Sequence, residues 1–327
     1  MSNAAVRWGI LGTGNMAGRM VGCICAAGGT VNAVGSRNIT TARAFAERHG
    51  IDSAFGSYAE LAADADVDAV YIATTNDQHH ANAMDCLRHQ RAVLCEKPLT
   101  TDFEKTKELI ETAQSLGVLL VEAMWMKFQP FMPVLEQIIR ADTLGPIRCL
   151  SAAFGFPAPQ ESTSRWYNHA LGGGSVLDIG VYPLTLAHAL LGAPEQTLAA
   201  AALAAPGVDR QAVVCSRHRD GAMSALTSSL AAAIPAEAVI AGPRGHVRLP
   251  APFYHCSELL VETIAPAGSK RYDTSYDGDG LECEIREVHR CLDQSLIESP
   301  LMTHADSLAV ATWADEILRQ IGVSYAR

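Results

Sequence analysis

A glycine-rich turn near the N-terminus and a lysine close to residue 100 are the features of this sequence whose residue types and spacing could do chemistry. The turn occupies residues 12–17 (GTGNMA); it follows an apolar run at residues 6–11 and opens a helical pattern. A strand, a glycine turn and a helix in this order cradle a dinucleotide pyrophosphate. Lys97 lies in the run CEKP at residues 95–98, directly after another buried-strand pattern. Together the two runs predict a cofactor site and a catalytic group.

The residues of the turn have separate tasks in that interpretation. Gly12 permits the tight turn, Gly14 lets the backbone approach the phosphates, and Ala17 still allows helix and strand to pack closely. The amides of Asn15 and Met16, at the start of the helix, would face the pyrophosphate. The alternative is an ordinary glycine-containing turn between a strand and a helix, because short motifs also match by chance.

Both runs lie where short apolar segments alternate with amphipathic helices, from residue 5 to about residue 122. The apolar segments predict strands over residues 6–11, 31–35, 69–74, 92–95 and 119–121. The periodic segments predict helices over residues 16–27, 40–48, 80–88 and 103–116. This alternation predicts a parallel sheet with helices on both faces, which binds ligands at the carboxyl ends of its strands.

After Gly145 the pattern changes to longer strands and hairpin turns. Residues 146–156 predict a long strand, and Asp220-Gly221 predicts a hairpin between residues 211–218 and 222–230. A further hairpin turn is predicted at residues 243–245, and helices are predicted over residues 281–294 and 304–320. The second half of the chain is therefore predicted to be an antiparallel sheet with helices on one face.

The chain length sets the domain organisation. With 327 residues the chain is long enough for two domains with sizeable cores. We predict an α/β fold: a doubly wound parallel sheet over residues 1–123, and an α+β domain built on a mostly antiparallel sheet over residues 124–327.

Composition excludes several classes of protein. The net charge of -10 and the absence of a basic stripe argue against a nucleic-acid partner. The sequence has no signal-like N-terminus and no charge-free apolar stretch of about 18 residues, so we expect no membrane association and a cytoplasmic location. The nine cysteines, from Cys23 to Cys291, lack paired Cys-x-x-Cys spacing, which favours reduced core residues over a metal site or disulfides.

Five motifs, in order along the chain, resemble one family of oxidoreductases. They are the glycine turn, Asn76-x-x-His79, Glu96-Lys97-Pro98, Gly172-Gly173-Gly174 and Asp178-Ile179-Gly180-Val181-Tyr182-Pro183. This set resembles the glucose-fructose oxidoreductase and inositol dehydrogenase family, Gfo/Idh/MocA, and within it the dimeric dihydrodiol dehydrogenase branch. Gly280-Leu281-x-x-Glu284 and Ser299-Pro300 extend the resemblance over almost the whole chain.

The resemblance implies a Rossmann domain followed by an α+β domain with an open antiparallel sheet. It also implies hydride transfer between a nicotinamide and the alcohol carbon of a sugar, polyol or cyclic diol. Members of the family commonly associate through the open face of that sheet, which implies a homodimer or a higher homo-oligomer.

The chemistry of alcohol oxidation assigns a role to Lys97. The hydroxyl proton must be removed while hydride leaves the same carbon, so a group must stabilise alkoxide character without competing for the hydride. Lys97 supplies a positive charge, and Pro98 disfavours helical geometry at Lys97 and holds it extended. The alternative for Lys97 is a solvated lysine at a strand end. Glu96 is equally consistent with a cofactor contact and with a simple strand-end carboxylate.

Tyr182 is the candidate general acid and base. Many family members carry histidine at the corresponding place, whereas the dihydrodiol dehydrogenase branch resembles this sequence in having tyrosine. A phenol has an ordinary pKa of about 10, so it needs a nearby cation, and Lys97 could provide that field. If residues 177–187 are helical, Asp178, four residues upstream, lies on the same face as Tyr182 and could orient Lys97 or the substrate hydroxyl. The alternatives are a half-buried helical tyrosine and a carboxylate stabilised only by the helix dipole.

Cofactor choice depends on the end of the second predicted strand. NAD-binding sheets usually place an acid there, but this chain has Ser36 and Arg37, which can hold a 2'-phosphate. We therefore predict NADP in preference to NAD; the alternative is that Arg37 is a surface residue. Thr74, Asn76 and His79 are predicted to line the nicotinamide side, although His79 fits a satisfied helix-start histidine equally well.

The substrate contacts are the least specific prediction. Trp125, Phe128 and Trp166 could form an apolar or sugar-stacking wall, with Arg165 as a polar contact and residues 156–168 as a loop over the cleft. The aromatic residues fit core or interface positions equally well.

A protein of another class remains compatible with the same fold. Some members of the family are cofactor-binding sensors or regulators, and such a protein would lack the catalytic pair. Lys97 and Tyr182 are both present, which favours the enzyme.

Overall fold

The chain forms two compact units, and the predicted parallel strands lie in the first of them. A computed structural model of the chain describes residues 5–159, 164–204 and 207–325. Unit 1 comprises residues 1–128 with 278–307, and unit 2 comprises residues 129–277 with 308–327. The predicted division after residue 123 differs from this grouping, which returns residues 278–307 to the first unit. The roles predicted for the two domains stay predictions.

Unit 1 contains a six-stranded parallel sheet in the order β3-β2-β1-β4-β5-β6. The strands are β1 (Arg7–Leu11), β2 (Thr30–Gly35), β3 (Ser53–Phe55), β4 (Ala69–Ile72), β5 (Ala92–Glu96) and β6 (Leu120–Ala123). The helices between them are α1 (Asn15–Ala26), α2 (Ile39–His49), α3 (Tyr58–Ala62), α4 (His79–Arg88) and α5 (Phe103–Leu116). The central strands are almost entirely buried, as expected for a parallel sheet covered on both faces.

Unit 2 contains an eight-stranded sheet in the order β14-β13-β12-β11-β7-β10-β9-β8. The strands are β7 (Cys149–Gly155), β8 (Pro194–Leu203), β9 (Asp209–His218), β10 (Met223–Ser229), β11 (Ala238–Gly242), β12 (Gly245–Leu249), β13 (Glu258–Ile264) and β14 (Ala267–Asp273). Neighbouring strands are antiparallel except β7 and β10, which are parallel. Helices α6 (Phe131–Arg140) and α7 (Val181–Leu191) also belong to this unit.

The last two helices are α8 (Glu282–Asp293) and α9 (His304–Gln320). Helix α8 packs against α1 in unit 1. The fold class is confirmed, with a Rossmann-like parallel sheet and a mixed, mostly antiparallel sheet. The predicted loop over residues 156–168 lies partly outside the described residues, because residues 160–163 are not described.

One prediction from composition needs correction. Cys25, Cys149 and Cys215 are exposed rather than in the core, because alternate residues of a one-sided strand and the outer residues of a helix face outward. The helical segment His169–Leu191 is long and apolar enough to span a membrane, although the sequence shows no charge-free stretch of that length. Of its apolar window, 78% is buried inside the protein, as in the core helix of a globular domain.

Candidate active site

The glycine turn after β1 has a backbone that only glycine can adopt at its first position. Gly12 has a φ of +108°, and its amide donates to the carbonyl of Gly35 at 3.0 Å. A β-carbon at Gly12 would lie 2.6 Å from the carbonyl oxygen of Ala73. A side chain is therefore excluded there. Gly14 is exposed and extended, with open space where its β-carbon would be.

The N-terminus of α1 is suited to an anion. No side chain caps it, and its first turn contains no acidic residue. Its first amides therefore keep their donors, and the helix dipole places partial positive charge beside them. Asn15 is exposed and Met16 is half-buried at this end. These residues fit a dinucleotide pyrophosphate.

The segment after β2 contains one exposed cationic side chain, that of Arg37. The Ser36 amide donates to the carbonyl of Phe55 at 3.2 Å, and the Asn38 side chain caps α2 by accepting from the Thr40 amide at 2.8 Å. Arg37, between them, is exposed and makes no ion pair with any residue that the structure describes. Its guanidinium remains available to a ligand.

His79 connects two of the loops at the carboxyl ends of the strands. Its Nδ1 lies 2.8 Å from the carbonyl of Pro98, and its Nε2 lies 3.2 Å from the carbonyl of Thr74. Burial lowers the pKa of His79, so the ring carries one proton, which we assign to the shorter Nδ1 contact. Asn82 donates to the Thr74 hydroxyl at 3.1 Å. This arrangement supports the structural alternative for His79, and Asn76 is buried nearby in sequence.

Lys97 follows β5 and is half-buried, with a cis peptide bond to Pro98. The next backbone groups are held on two sides, since the Pro98 carbonyl contacts His79 and the Leu99 amide donates to Oε1 of Glu122 at 3.0 Å. Burial raises the pKa of Glu122. The backbone around Lys97 is therefore fixed by neighbouring elements rather than by the strand alone.

A buried acidic cluster lies beside β5. The Tyr71 hydroxyl donates to Oε1 of Glu96 at 2.5 Å. Glu284, on α8, is completely buried, and neither carboxyl oxygen has a hydrogen-bond partner among the residues described. Burial, and then the negative charge of Glu96, raise the pKa of Glu284 well above its ordinary value. Glu284 therefore holds its proton to a higher pH than an ordinary glutamate does.

The two predicted wall residues of unit 1 differ in exposure. Trp125 is half-buried, with the Arg19 guanidinium 6.0 Å from its ring centroid, and Arg19 pairs with Asp279. Phe128 is buried, with 8% of its surface exposed, which agrees with the core alternative.

In unit 2, Asp178 and Tyr182 lie on one continuous helical segment. A π-helical turn over Val176–Gly180 precedes α7, so the two residues are a turn apart on one face. Both side chains are buried. Nη1 of Arg165 donates to Oδ1 of Asp178 at 2.9 Å, so the carboxylate is paired with a cation from its own unit. Arg165 also lies 5.0 Å from the Trp166 ring centroid.

Aromatic rings that the sequence did not single out surround Tyr182. Its ring centroid lies 5.7 Å from that of Phe154 and 5.0 Å from that of Tyr254, and those two rings stack at 4.7 Å. Phe156 lies beside Phe154 and contacts Trp166 at 5.8 Å. Unit 2 thus groups the predicted Asp178, Tyr182, Arg165 and Trp166 around an aromatic cluster.

Metal ligands are a separate question. Within residues 5–159, 164–204 and 207–325, no group of three or more His, Cys, Asp or Glu side chains could hold a metal ion.

Comparison with known proteins identifies the class. Residues 6–124 match the model of an oxidoreductase family with an NAD-binding Rossmann fold, and residues 134–248 match the GFO/IDH/MocA C-terminal domain. The chain belongs to the GFO/IDH/MocA family of NAD(P)-dependent oxidoreductases.

Individual relatives cover nearly the whole chain. A trans-1,2-dihydrobenzene-1,2-diol dehydrogenase from Xenopus laevis is 31% identical over 98% of this chain and 99% of its own length. The enzyme of the same name from Danio rerio is 32% identical over 99% of both chains.

Solved structures share the fold. A 3-ketoreductase from Actinomadura kijaniata, in complex with NADP and TDP-benzene, is 26% identical over 99% of this chain and 100% of that chain, with a TM-score of 0.88. Its solved forms include a lysine-to-alanine and a tyrosine-to-phenylalanine variant. A levoglucosan dehydrogenase with NADH and levoglucosan has a TM-score of 0.88 at 17% identity over 98% of both chains, which shows the fold alone.

Proposed function

We propose that this protein oxidises a secondary alcohol of a cyclic diol or sugar, or reduces the corresponding ketone, with NADP as the preferred cofactor. The observation that carries the proposal is Tyr182, a buried phenol on the same helix face as Asp178 and in contact with the rings of Phe154 and Tyr254. A proton-transfer group within an apolar aromatic cluster suits a ring-shaped substrate with few charges.

The proposed mechanism divides the work among three side chains. When bound, the nicotinamide accepts or supplies the hydride. In oxidation Tyr182 acts as the phenolate and takes the hydroxyl proton as hydride leaves the same carbon. In reduction the neutral phenol gives its proton to the alkoxide oxygen and becomes the phenolate. Lys97 stabilises the negative charge that develops on the substrate oxygen. Asp178, paired with Arg165, orients the substrate hydroxyl.

The cofactor preference rests on the residues after β2. Ser36 and the exposed Arg37 stand where an acid would bind the ribose hydroxyls of NAD, and a guanidinium binds phosphate by charge-assisted hydrogen bonds. The 3-ketoreductase, which is similar over its whole length, was solved with NADP. Asn76, Thr74 and Glu96 are proposed to lie on the nicotinamide side.

The substrate class draws support from the curated relatives, which are named for a cyclic trans-diol. The ketoreductase was solved with a TDP derivative, which carries more charge. Trp166, which contacts Arg165 and Phe156, extends the aromatic surface of unit 2. We propose Trp125 as a further contact and assign Phe128 to the core.

The eight-stranded sheet is the proposed surface for self-association in the cytoplasm. Leu198, Val213 and Met223 are 64%, 50% and 45% exposed on β8, β9 and β10. The strand register places Leu198 of β8 opposite Cys215 of β9, and Cys215 opposite Ala225 of β10. The side chains of Leu198, Cys215 and Ala225 therefore lie on one face of the sheet. An apolar face of this kind is typical of an interface between copies of a chain.

The first test is turnover of NADP and NAD with cyclic trans-diols, aldoses, polyols and anhydro-sugars. We expect NADP-dependent turnover of at least one cyclic diol or sugar, and loss of that turnover in Tyr182→Phe. Tyr272→Phe, on exposed β14, is the matched control. Tight NADP binding with no turnover across the panel would contradict the proposal and favour a regulatory protein.

A further inference from the structure

Asp209, the first residue of β9, holds the start of the helical segment that carries Asp178 and Tyr182. Asp209 is completely buried, and its Oδ2 accepts from the Ser175 hydroxyl and from the Val176 amide, each at 2.7 Å. The Ser175 hydroxyl also lies 2.9 Å from that of Ser228 on β10. One carboxyl oxygen therefore caps the segment at its first residues.

The other carboxyl oxygen of Asp209 faces the glycine run and a tyrosine far along the chain. Gly174 has a φ of +120°, and a β-carbon there would collide with both Oδ1 of Asp209 and the hydroxyl of Tyr325. The Tyr325 hydroxyl donates to the carbonyl of Gly173. The carboxyl oxygen and the phenol oxygen therefore flank the same point.

The Tyr325 hydroxyl and Oδ1 of Asp209 differ in their hydrogen bonds. A phenol has one proton, and Tyr325 donates it to Gly173, so toward Asp209 its oxygen can only accept. Oδ1 of Asp209 has no hydrogen-bond partner among the residues described. Burial raises the pKa of Asp209 to about 6, so this carboxyl holds a proton to a higher pH than an ordinary aspartate does.

The side chains that contact Asp209 or Tyr325 are two hydroxyls and one histidine. Ser175 and Ser228 present hydroxyls to Asp209. His169 stacks on the Tyr325 ring at 5.0 Å, and its Nε2 lies 2.8 Å from the carbonyl of Ser324. The nearest cation in sequence is Arg210. Burial raises the pKa of Asp209, and the hydrogen bonds that Asp209 accepts lower it by less.

We propose that Asp209 and Tyr325 are positioning residues. Asp209 holds the Ser175 hydroxyl and the Val176 amide, and the Tyr325 hydroxyl holds the Gly173 carbonyl. Together these hydrogen bonds fix the glycine run from which the segment bearing Asp178 and Tyr182 begins. The expected effect on turnover rests on the proposed function; the proton on Asp209 does not.

The kinetic test compares Tyr325→Phe, Asp209→Asn and Asp209→Ala with the control Asp277→Asn, an exposed residue of the same unit. Tyr325→Phe keeps the ring but removes the hydrogen bond to the Gly173 carbonyl. We therefore expect kcat to fall roughly threefold to tenfold with the KM for NADP unchanged. Asp209→Asn keeps an acceptor and a donor and should retain kcat, whereas Asp209→Ala should not. Wild-type kcat in Tyr325→Phe, or equal losses in the Asn and Ala variants, would overturn the positioning role.

A second readout does not depend on activity. Because the folded pKa of Asp209 lies above its unfolded value, the stability that its proton contributes is present at low pH and is lost as pH rises toward about 6. The thermal midpoint of the wild type should therefore fall relative to Asp209→Asn between about pH 4.5 and 6.5 and stay level above that. Parallel curves would overturn the protonated carboxyl, even if the panel of substrates fails and the proposed function with it.

Discussion

Replacement of Glu284 by glutamine should make folding stability less dependent on pH. Glu284 is completely buried on α8, and its two oxygens have no partner among the residues described. Its pKa is raised by burial and by the charge of Glu96, so the folded state holds a proton that the unfolded chain releases. Glutamine has nearly the same shape and no proton to lose, which makes it the direct test.

The sign and size follow from proton linkage. Below the ordinary pKa of a glutamate both states carry the proton, and Glu284 adds no pH dependence. Above that value the unfolded chain ionises while the folded state does not, so stability is lost as pH rises. The slope for one proton is about 1.4 kcal/mol per pH unit. It persists for as long as Glu284 stays protonated in the folded protein.

The measurement is urea unfolding of the wild type and Glu284→Gln at pH 5, 6 and 7. While Glu284 stays protonated in the folded protein, the variant should gain stability over the wild type as pH rises, by up to about 1.4 kcal/mol with each unit of pH. Glu104→Gln, exposed at the start of α5, should show no such trend. A difference between Glu284→Gln and the wild type that does not change with pH would refute the protonated carboxyl.

Two substitutions test the predicted cofactor site, and a third tests the packing of the glycine run at Gly174. Arg37→Ala should raise the KM for NADP roughly 10- to 100-fold and change that for NAD less than about threefold, because it removes charge-assisted hydrogen bonds to one phosphate. Gly12→Ala should weaken binding of both cofactors roughly tenfold or more by equilibrium titration, since its φ of +108° and the nearby carbonyl exclude a methyl group. Gly174→Ala should lower the urea midpoint, with a loss of roughly 2–3 kcal/mol from strain and from collision with Asp209.

Matched controls separate these effects from general damage. Arg43→Ala removes an exposed arginine from α2, and it should leave both KM values unchanged. Gly22→Ala adds a methyl group to α1 where no atom lies within 4 Å, so cofactor binding should not change. Equal losses for NADP and NAD in Arg37→Ala would mean that the guanidinium does not discriminate between them. Unchanged binding in Gly12→Ala would contradict the pyrophosphate site.

Local patterns were sufficient for most of unit 1. Strands β1, β4 and β5 are short apolar runs buried on both faces, and helices α1, α2 and α4 show a regular apolar face, so each was predicted within a few residues. Strand β3 has three half-buried residues and α3 has five residues, which is too short for periodicity to appear. Helix α6 was also missed; it contains Pro133, a residue that usually breaks a helical pattern.

The arrangement of unit 2 depended on pairing that no local pattern encodes. The hairpin between β9 and β10 was predicted from Asp220-Gly221, but the parallel pairing of β7 with β10 joins strands about 70 residues apart in sequence. The same applies to the candidate site. Tyr182 was predicted from its own motif, whereas its neighbours Phe154 and Tyr254 come from distant loops and strands and carry no local signal.

The most direct test of the proposed mechanism is the rate of hydride transfer in Lys97→Met, measured in a single turnover together with the dissociation constant for NADP. If Lys97 stabilises the developing alkoxide, transfer should fall roughly 100-fold or more with the dissociation constant nearly unchanged. Lys107→Met, on the exposed face of α5, should match the wild type in both quantities. A near-normal rate in Lys97→Met would contradict the assignment of Lys97 as the catalytic cation.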